Sequence, residues 1–517
     1  MNMPRIFQFA LLALLATWAV PGEARWREAS SRHFVIYSEQ SESDLRKIAD
    51  ELERFDRALR IQLQRRDDDK SPATRLTIYV LPNQSMLGDF LGRQDVAGVY
   101  MARAGGSIAF THRERPRRPD EGLDPRLVLF HEYTHHFLYN NFAFGAPLWF
   151  SEGYPEFWST ARTTNEGGVS FGLPGTHRSN ELTELPRIGV ARLLSLRLPV
   201  RDGATYAAIY GRGWVLAHYL TFEPTREGQL NAYLRALHEG RTPAEAAAVF
   251  GDLEALDREV ERYMRGRGFN YATIPANMVS PGPIQIREVS AGEDAMMSVR
   301  MRSKRGVNER QAASLVPEGR RIGERFPNDA AVQLALAEVE YDARNFAEAE
   351  AAADRAIAAS PNLVDAHLYK ARAMAGRLIA ASDRTPESWQ EVRRRITAAN
   401  RIDPDDPEPL IAFYESFAPS GRAATQNAVD GLLIAQTAAP EDKSLRITAA
   451  RELLARRDAR RARSVLAPLA SDSHSGLLGP KIGEIMTTLE TGDAAAALTQ
   501  LDAALREQSA PARRPGT

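Results

Sequence analysis

Cysteine is absent from all 517 residues. Disulfides, thiolate zinc sites and lipid anchoring at a cysteine are therefore excluded. Net charge is nearly absent too: 66 basic side chains face 67 acidic ones, a formal charge of -1 with histidine neutral. The strong positive excess of a dedicated nucleic-acid binder is missing, so no nucleic-acid partner is expected. One basic run, His112 to Pro119 (HRERPRRP), reads as a solvated loop, with a substrate-steering patch as the alternative. Beyond residue 24 no apolar run is long enough to cross a bilayer. The exception is the start, MNMPRIFQFALLALLATWAVPGEA, where Arg5 precedes an apolar stretch from Ile6 to Val20 and Gly22 to Ala24 form a small-residue cleavage site. Residues 1–24 are expected to be a signal peptide, with a retained anchor as the alternative. The remainder is expected to be exported, with no transmembrane segment.

What the chain does have is the hexapeptide His-Glu-Tyr-Thr-His-His at residues 131 to 136. In an α-helix, positions four apart share a face one turn along, so the imidazoles of His131 and His135 can converge on one metal ion. Glu132 lies beside them, placed to take a proton from water as that water attacks a carbonyl, with zinc lowering the water's pKa towards neutrality. Amide or ester hydrolysis is the chemistry implied. The preceding DPRLVLF supplies Asp124 as N-cap, Pro125 at the first helical position and apolar Leu127, Val128 and Phe130, which sets the motif on a partly buried helix. His136 points about 100° away around that helix and reads as a packing or hydrogen-bonding residue. After the loop YNNFAFGA, the stretch PLWFSEGYPEFW opens at Pro147 and carries Glu152 at its centre. A catalytic zinc site takes three protein ligands plus water, and Glu152 completes a His, His, Glu set.

HEYTHH followed by PLWFSEGYPEF resembles the gluzincin-type zinc metallopeptidases, and within them the peptidase MA-like domains, whose second segment reads roughly P-x-W-L-x-E-G-x-A. The resemblance implies one Zn2+ held by His131, His135 and Glu152, Glu132 as general base, and an α+β zincin-like catalytic core acting on a peptide or protein substrate. Leu138 and Asn141 stand where a metzincin would need Gly and His, so that class does not apply. Glu156, one turn beyond Glu152, matches a carboxylate that orients the first histidine. Pro155 departs from the family's Ala; proline removes a donor and clashes with the preceding turn, so the helix is expected to kink or restart there. The segment TYAAIYGRGWVLAHYL resembles the family's helix behind the cleft, which makes Tyr210 the candidate for steadying the oxyanion, with His218 and Tyr206 behind it and His177 weaker still. By position, the strand implied to run along the cleft and pair with extended substrate is Ser107 to Phe110. A bacterial periplasm or the extracellular space is the implied setting. A non-catalytic cell-envelope scaffold with a degenerate or structural zincin domain is the competing function, although a scaffold has no need of Glu132.

At this length two or three domains are expected. HFVIYS and RLTIYVLP alternate as strands, SESDLRKIADELERFDRALRIQLQ has helical spacing, QSMLGDFLG reads as a short helix, and VAGVYMARAGGSIAFTH as two strands turning at Gly105 and Gly106. A catalytic domain over 25–272 is followed by a Pro- and Gly-rich linker, 273–304. From 305 to 505, Ala-rich helical segments close at Pro327, Pro361, Pro404 and Pro440, with differences of 34, 43 and 36 residues. That period resembles tetratricopeptide (TPR) repeats, with Leu336, Ala349, Ala356 and Pro361 at packing positions, and implies an all-α array that docks substrate or a protein partner; a non-repeating bundle is the alternative. Residues 506–517 are expected to be a disordered tail.

Overall fold

The computed structural model of the protein describes residues 26–68, 71–94, 96–116, 123–200, 202–266, 268–472 and 478–509; the expected signal peptide and most of the expected tail lie outside them. The chain opens with β1 (Arg27–Ser30) and β2 (Phe34–Ser38). Next comes α1 (Glu42–Gln62), whose N-cap Ser41 accepts from the Asp44 N–H. Then follow β3 (Leu76–Leu81), α2 (Gln84–Leu91), β4 (Gly98–Met101) and β5 (Ile108–His112). Gly92 ends α2 in the left-handed conformation, at φ 71°.

These strands, with β9 (Gln285–Glu288), form a six-stranded mixed sheet in the order β4-β5-β3-β2-β1-β9. β5, β3 and β2 run parallel, while β4, β1 and β9 pair antiparallel with their neighbours. Side-chain alternation divides each strand between two cores. Phe34, Ile36, Leu76, Ile78 and Ala109 pack with Leu52, Phe55 and Leu59 of α1, whereas Tyr37, Tyr79 and Phe110 pack on the other face with Leu87, Met297 and Met301.

The segment expected along the cleft, Ser107 to Phe110, enters β5 at Ile108, and β5 is bonded on both sides by β3 and β4. The open edge is β4, because the Gly105–Gly106 turn, with Gly106 at φ 96°, folds the chain back and makes β4 the outermost strand.

The helical stretch after β5 begins with α3 (Pro125–Asn141) and α4 (Leu148–Ser159). A second, three-stranded sheet joins β6 (Arg162–Thr163), β7 (Val169–Phe171) and β8 (Ala272–Ile274). Between β7 and β8 lie α5 (Ser179–Thr183), α6 (Val190–Ser195), α7 (Gly203–Phe222), α8 (Gln229–His238), α9 (Pro243–Ala246) and α10 (Leu253–Met264). The stretch expected to be a linker, 273–304, instead supplies part of β8, all of β9 and most of α11 (Ala291–Arg305). Prolines and glycines around 275–283 hide this in the sequence, since β9 is only four residues long and earns its place by pairing with β1.

The rest is helical: α12 (Glu309–Arg325), α13 (Ala330–Asp342), α14 (Phe346–Ala359), α15 (Val364–Ala380), α16 (Pro386–Ile402), α17 (Pro407–Glu415), α18 (Gln426–Ala438), α19 (Lys443–Ala455), α20 (Ala459–Leu466), α21 (Leu478–Glu490) and α22 (Ala494–Ser509). Pro327, Pro361, Pro404 and Pro440 each fall in the turn between one helix pair and the next. Small buried residues such as Ala349, Ala352, Ala353 and Ala356 let neighbouring helices approach. α22 continues to Ser509, past the point where the tail is expected to begin. Among the described residues no helix is long and apolar enough to cross a membrane.

Candidate metal centre

Asp124 caps α3 by accepting from the Arg126 N–H at 2.9 Å, and Pro125 takes the first helical position. The helix therefore starts where its sequence signals place it, and His131 and His135 fall on one face. Their Nε2 atoms lie 3.0 Å apart. Glu152 reaches them from α4, with Oε2 3.6 Å from His131 Nε2 and 3.7 Å from His135 Nε2. Donors at about 2.1 Å from a tetrahedral zinc ion sit roughly 3.3–3.5 Å from one another, and the three separations here, 3.0, 3.6 and 3.7 Å, bracket that range. Among the described residues this is the one group of three His or acidic side chains so arranged. Two imidazoles and a fully buried carboxylate are a donor set that could hold a divalent metal ion such as zinc, and they fit that group. Glu132, half-buried beside the enclosed ligands, is the base candidate with solvent access.

Helix α4 brings Glu152 to this point by crossing α7 at a glycine pair. A Cβ on Gly153 would stand 2.3 Å from Gly213 Cα, so neither position admits a side chain without moving a backbone. The same crossing sets Tyr210 of α7 against the ligands. Its ring lies 6.1 Å from that of His131, inclined 25°, and its hydroxyl is 3.4 Å from that of Tyr206. Burial, the Glu152 carboxylate and the Tyr206 hydroxyl push the Tyr210 phenol well above the usual tyrosine range, which keeps it a protonated donor.

Helix α4 runs through Pro155 without a break, against the expected kink or restart. Packing on α7 fixes the helix on both sides of the proline, which outweighs the loss of one backbone donor. Glu156 therefore lands one turn beyond Glu152, with Oε1 3.0 Å from His131 Nδ1. Glu156 also accepts from His177 Nε2 at 2.8 Å and from the Arg178 guanidinium. Burial opposes its charge, yet His131, His177 and Arg178 hold this carboxyl well below the usual range. Burial likewise penalises charge on His131 and Glu152. The carboxylates of Glu156, Glu152 and Glu132 nevertheless lift His131 to about 10, and the two imidazoles hold Glu152 well below an ordinary carboxyl. The site's potential thus favours a cation between these groups.

His177, the weakest of the sequence candidates, is drawn into this network through Glu156. No sequence motif marks Arg178, whose guanidinium lies 4.8 Å from the Tyr210 ring centroid and also pairs with Glu181 at 2.7 Å. Only its adjacency to His177 in GTHRSN could have drawn notice. His218 takes no part. It is wholly enclosed among Phe157, Trp214, Phe222 and Phe269, bonded to the Gly172 carbonyl at 2.9 Å and the Tyr263 hydroxyl at 2.8 Å. Burial draws it down to about 4, so it is a neutral core residue. His136 turns away from the ligands, with Nδ1 2.8 Å from the Tyr100 hydroxyl of β4. No protein-family model matches the chain, and no curated protein matches it.

Proposed function

We propose that the protein is an exported zinc metallopeptidase of the gluzincin type, hydrolysing peptide bonds with water, its helical array helping to dock the substrate or a partner. The observation that carries this reading is the convergence of His131 Nε2, His135 Nε2 and Glu152 Oε2 within 3.0–3.7 Å, with Glu132 next to them in the chain. A bound zinc ion supplies Lewis acidity, polarising the scissile carbonyl and making water acidic enough to attack at neutral pH. Glu132 takes the proton from that water and delivers it to the departing amine. The Tyr210 hydroxyl, protonated at any working pH, donates to the oxygen on which negative charge develops. Glu156 fixes the ring of His131 through Nδ1, leaving Nε2 for the metal, and is itself held by His177 and Arg178.

Hydrolysis of an unfolded protein by wild type, Glu132→Gln and Tyr210→Phe, with zinc content measured in each, tests this. The expected outcome is zinc retained in all three, activity lowered on the order of 10²-fold or more without the base and about 10²-fold without the phenol hydroxyl. Equal activity in wild type and Glu132→Gln would transfer support to the non-catalytic scaffold.

A further inference from the structure

We propose that the turn between β4 and β5 is a built-in ligand of the helical array, a latch that ties the array to α3, and that a partner segment of the same chemistry displaces it. The proposal rests on the docking role given to the array above and not on hydrolysis. Ala104 is 2 % exposed, and the buried apolar residues clustered with it, Leu432, Ala435, Ala439 and Leu445, all belong to the array. Its backbone is recognised as well as its side chain. Asp442, the N-cap of α19, accepts from the Leu445 N–H through Oδ1 and from the Ala104 N–H through Oδ2, both at 2.9 Å. The next residue, Gly105, lies over α17, where a Cβ would stand 2.7 Å from Glu408 Cγ. Arg103, one residue before Ala104, adds a positive charge that favours the carboxylates of Asp342 and Glu408. The pocket between α17, α18 and α19 therefore takes a small apolar residue preceded by a cation and followed by glycine.

The same turn is tied to α3. His136 Nδ1 lies 2.8 Å from the Tyr100 hydroxyl, that hydroxyl donates to Ser107 Oγ at 3.1 Å, and Ser107 Oγ donates to Glu441 of the array at 3.5 Å. This row of polar contacts starts one residue from the ligand His135 and ends one residue from Asp442, so holding the turn steadies the ligand helix. The hairpin is lightly held on its outer side. β4 has four residues, each only half-buried, and pairs with β5 alone. An edge of this kind opens locally before the rest of the fold. The array stays in place meanwhile, since Lys304 of α11 pairs with Glu338 of α13 at 2.8 Å and Ser71 donates to Asp403 at 2.6 Å. One small side chain and one hydrogen bond are within what a competing segment can replace.

Hydrogen exchange and peptide binding on the full chain test the latch, and neither needs an active enzyme. Ala104→Glu sets an unpaired carboxylate in the pocket beside Asp442. Amides of residues 98–107 are then expected to exchange about tenfold or more faster than in wild type, while those of α12 to α14 keep their rates. A fluorescent octapeptide copying residues 100–107, YMARAGGS, is expected to bind that variant about tenfold or more tighter than wild type, whose pocket is filled. The octapeptide carrying the same substitution should bind neither protein. Tyr100→Phe cuts the polar row and leaves the pocket intact, so exchange at residues 137–141 of α3 is expected to rise about threefold while peptide binding stays as in wild type. Thermal melts check that each variant is folded. Should Ala104→Glu fail to fold, excess octapeptide added to wild type decides, since capture of the open state speeds exchange across 98–107. Unchanged exchange there in folded Ala104→Glu, or in wild type with excess octapeptide, overturns the latch, and unchanged α3 exchange in Tyr100→Phe overturns its tie to the ligand helix. If these changes appear in a protein that cleaves no peptide, the latch stands and the metallopeptidase reading alone fails.

Discussion

Glu156 touches His131, His177 and Arg178 at once and is only 2 % exposed, so its carboxylate fixes the orientation of a ligand imidazole from behind. Removing that charge leaves the three donors of the metal in place but frees the His131 ring and strands a buried guanidinium. Zinc affinity in Glu156→Gln is therefore expected to fall about 10- to 100-fold, read by competition with a chromogenic chelator; an unchanged affinity would show that His131 is oriented without it. At this scale the ligands were legible, because HExxH and a later Glu in an apolar segment encode their own geometry. Glu156 was legible by its one-turn offset. Arg178 and the role of His177 were not, since they depend on where a loop comes to rest, and no local periodicity carries that information.

Two elements position the candidate site, and each can be tested. The first is the crossing of α4 and α7 at Gly153 and Gly213. Gly153→Ala forces these backbones apart, and a loss of roughly 1–3 kcal/mol is expected from overpacking, with weaker zinc binding because Glu152 is the adjacent residue. Calorimetry and metal titration on the same variant check both, and an unaltered melting point would mean the crossing relaxes freely. The second is the anchor behind α3: Tyr133 donates to Asp56 of α1 at 2.7 Å, Asp56 pairs with Arg60, and His33 bonds Glu53 at 2.8 Å and Asp67 at 3.0 Å. Burial disfavours a charged His33, but Asp56, Asp67 and Glu53 outweigh it and raise the ring from 6.5 to about 9. A raised histidine adds stability that is fully present below the unfolded pKa of 6.5 and disappears as the pH climbs through about 9. Unfolding free energy is thus expected to drop by on the order of 3 kcal/mol across that window in wild type. In His33→Gln the slope should flatten, and an identical slope in both proteins would remove His33 as its source. The strands and helices of this region were largely readable from alternation and capping. The short strands β1, β6, β7, β8 and β9 were not, because two to four residues hold too little pattern and their pairing partners are remote.

For the molecule as a whole, the expected division near residue 272 cuts through structure. β9 closes one edge of the main sheet against β1, and Val289, Met297 and Met301 cover the face that carries Trp26, Tyr37 and Tyr79. A fragment ending at Ile274 is expected to lack cooperative unfolding, while one ending at Arg305 regains it, followed by near-UV circular dichroism during thermal melts. Equal cooperativity would make β9 and α11 dispensable additions. The helical array, readable from its proline spacing, is not a detached module either: Asp442 accepts from the Ala104 N–H at 2.9 Å and Ser71 donates to Asp403 at 2.6 Å, which seats the array along the part that holds the ligands. The donor atoms of His131, His135 and Glu152 stand close enough together to share one metal ion. X-ray absorption at the zinc edge on the full chain, with metal counted per molecule, probes that most directly. One zinc per chain is expected, bound at about 2.0–2.2 Å by two imidazole nitrogens, a carboxylate oxygen and one further light atom, and lost in His135→Ala; a purified wild type that takes up no zinc, or binds it unchanged after His135→Ala, would contradict the site.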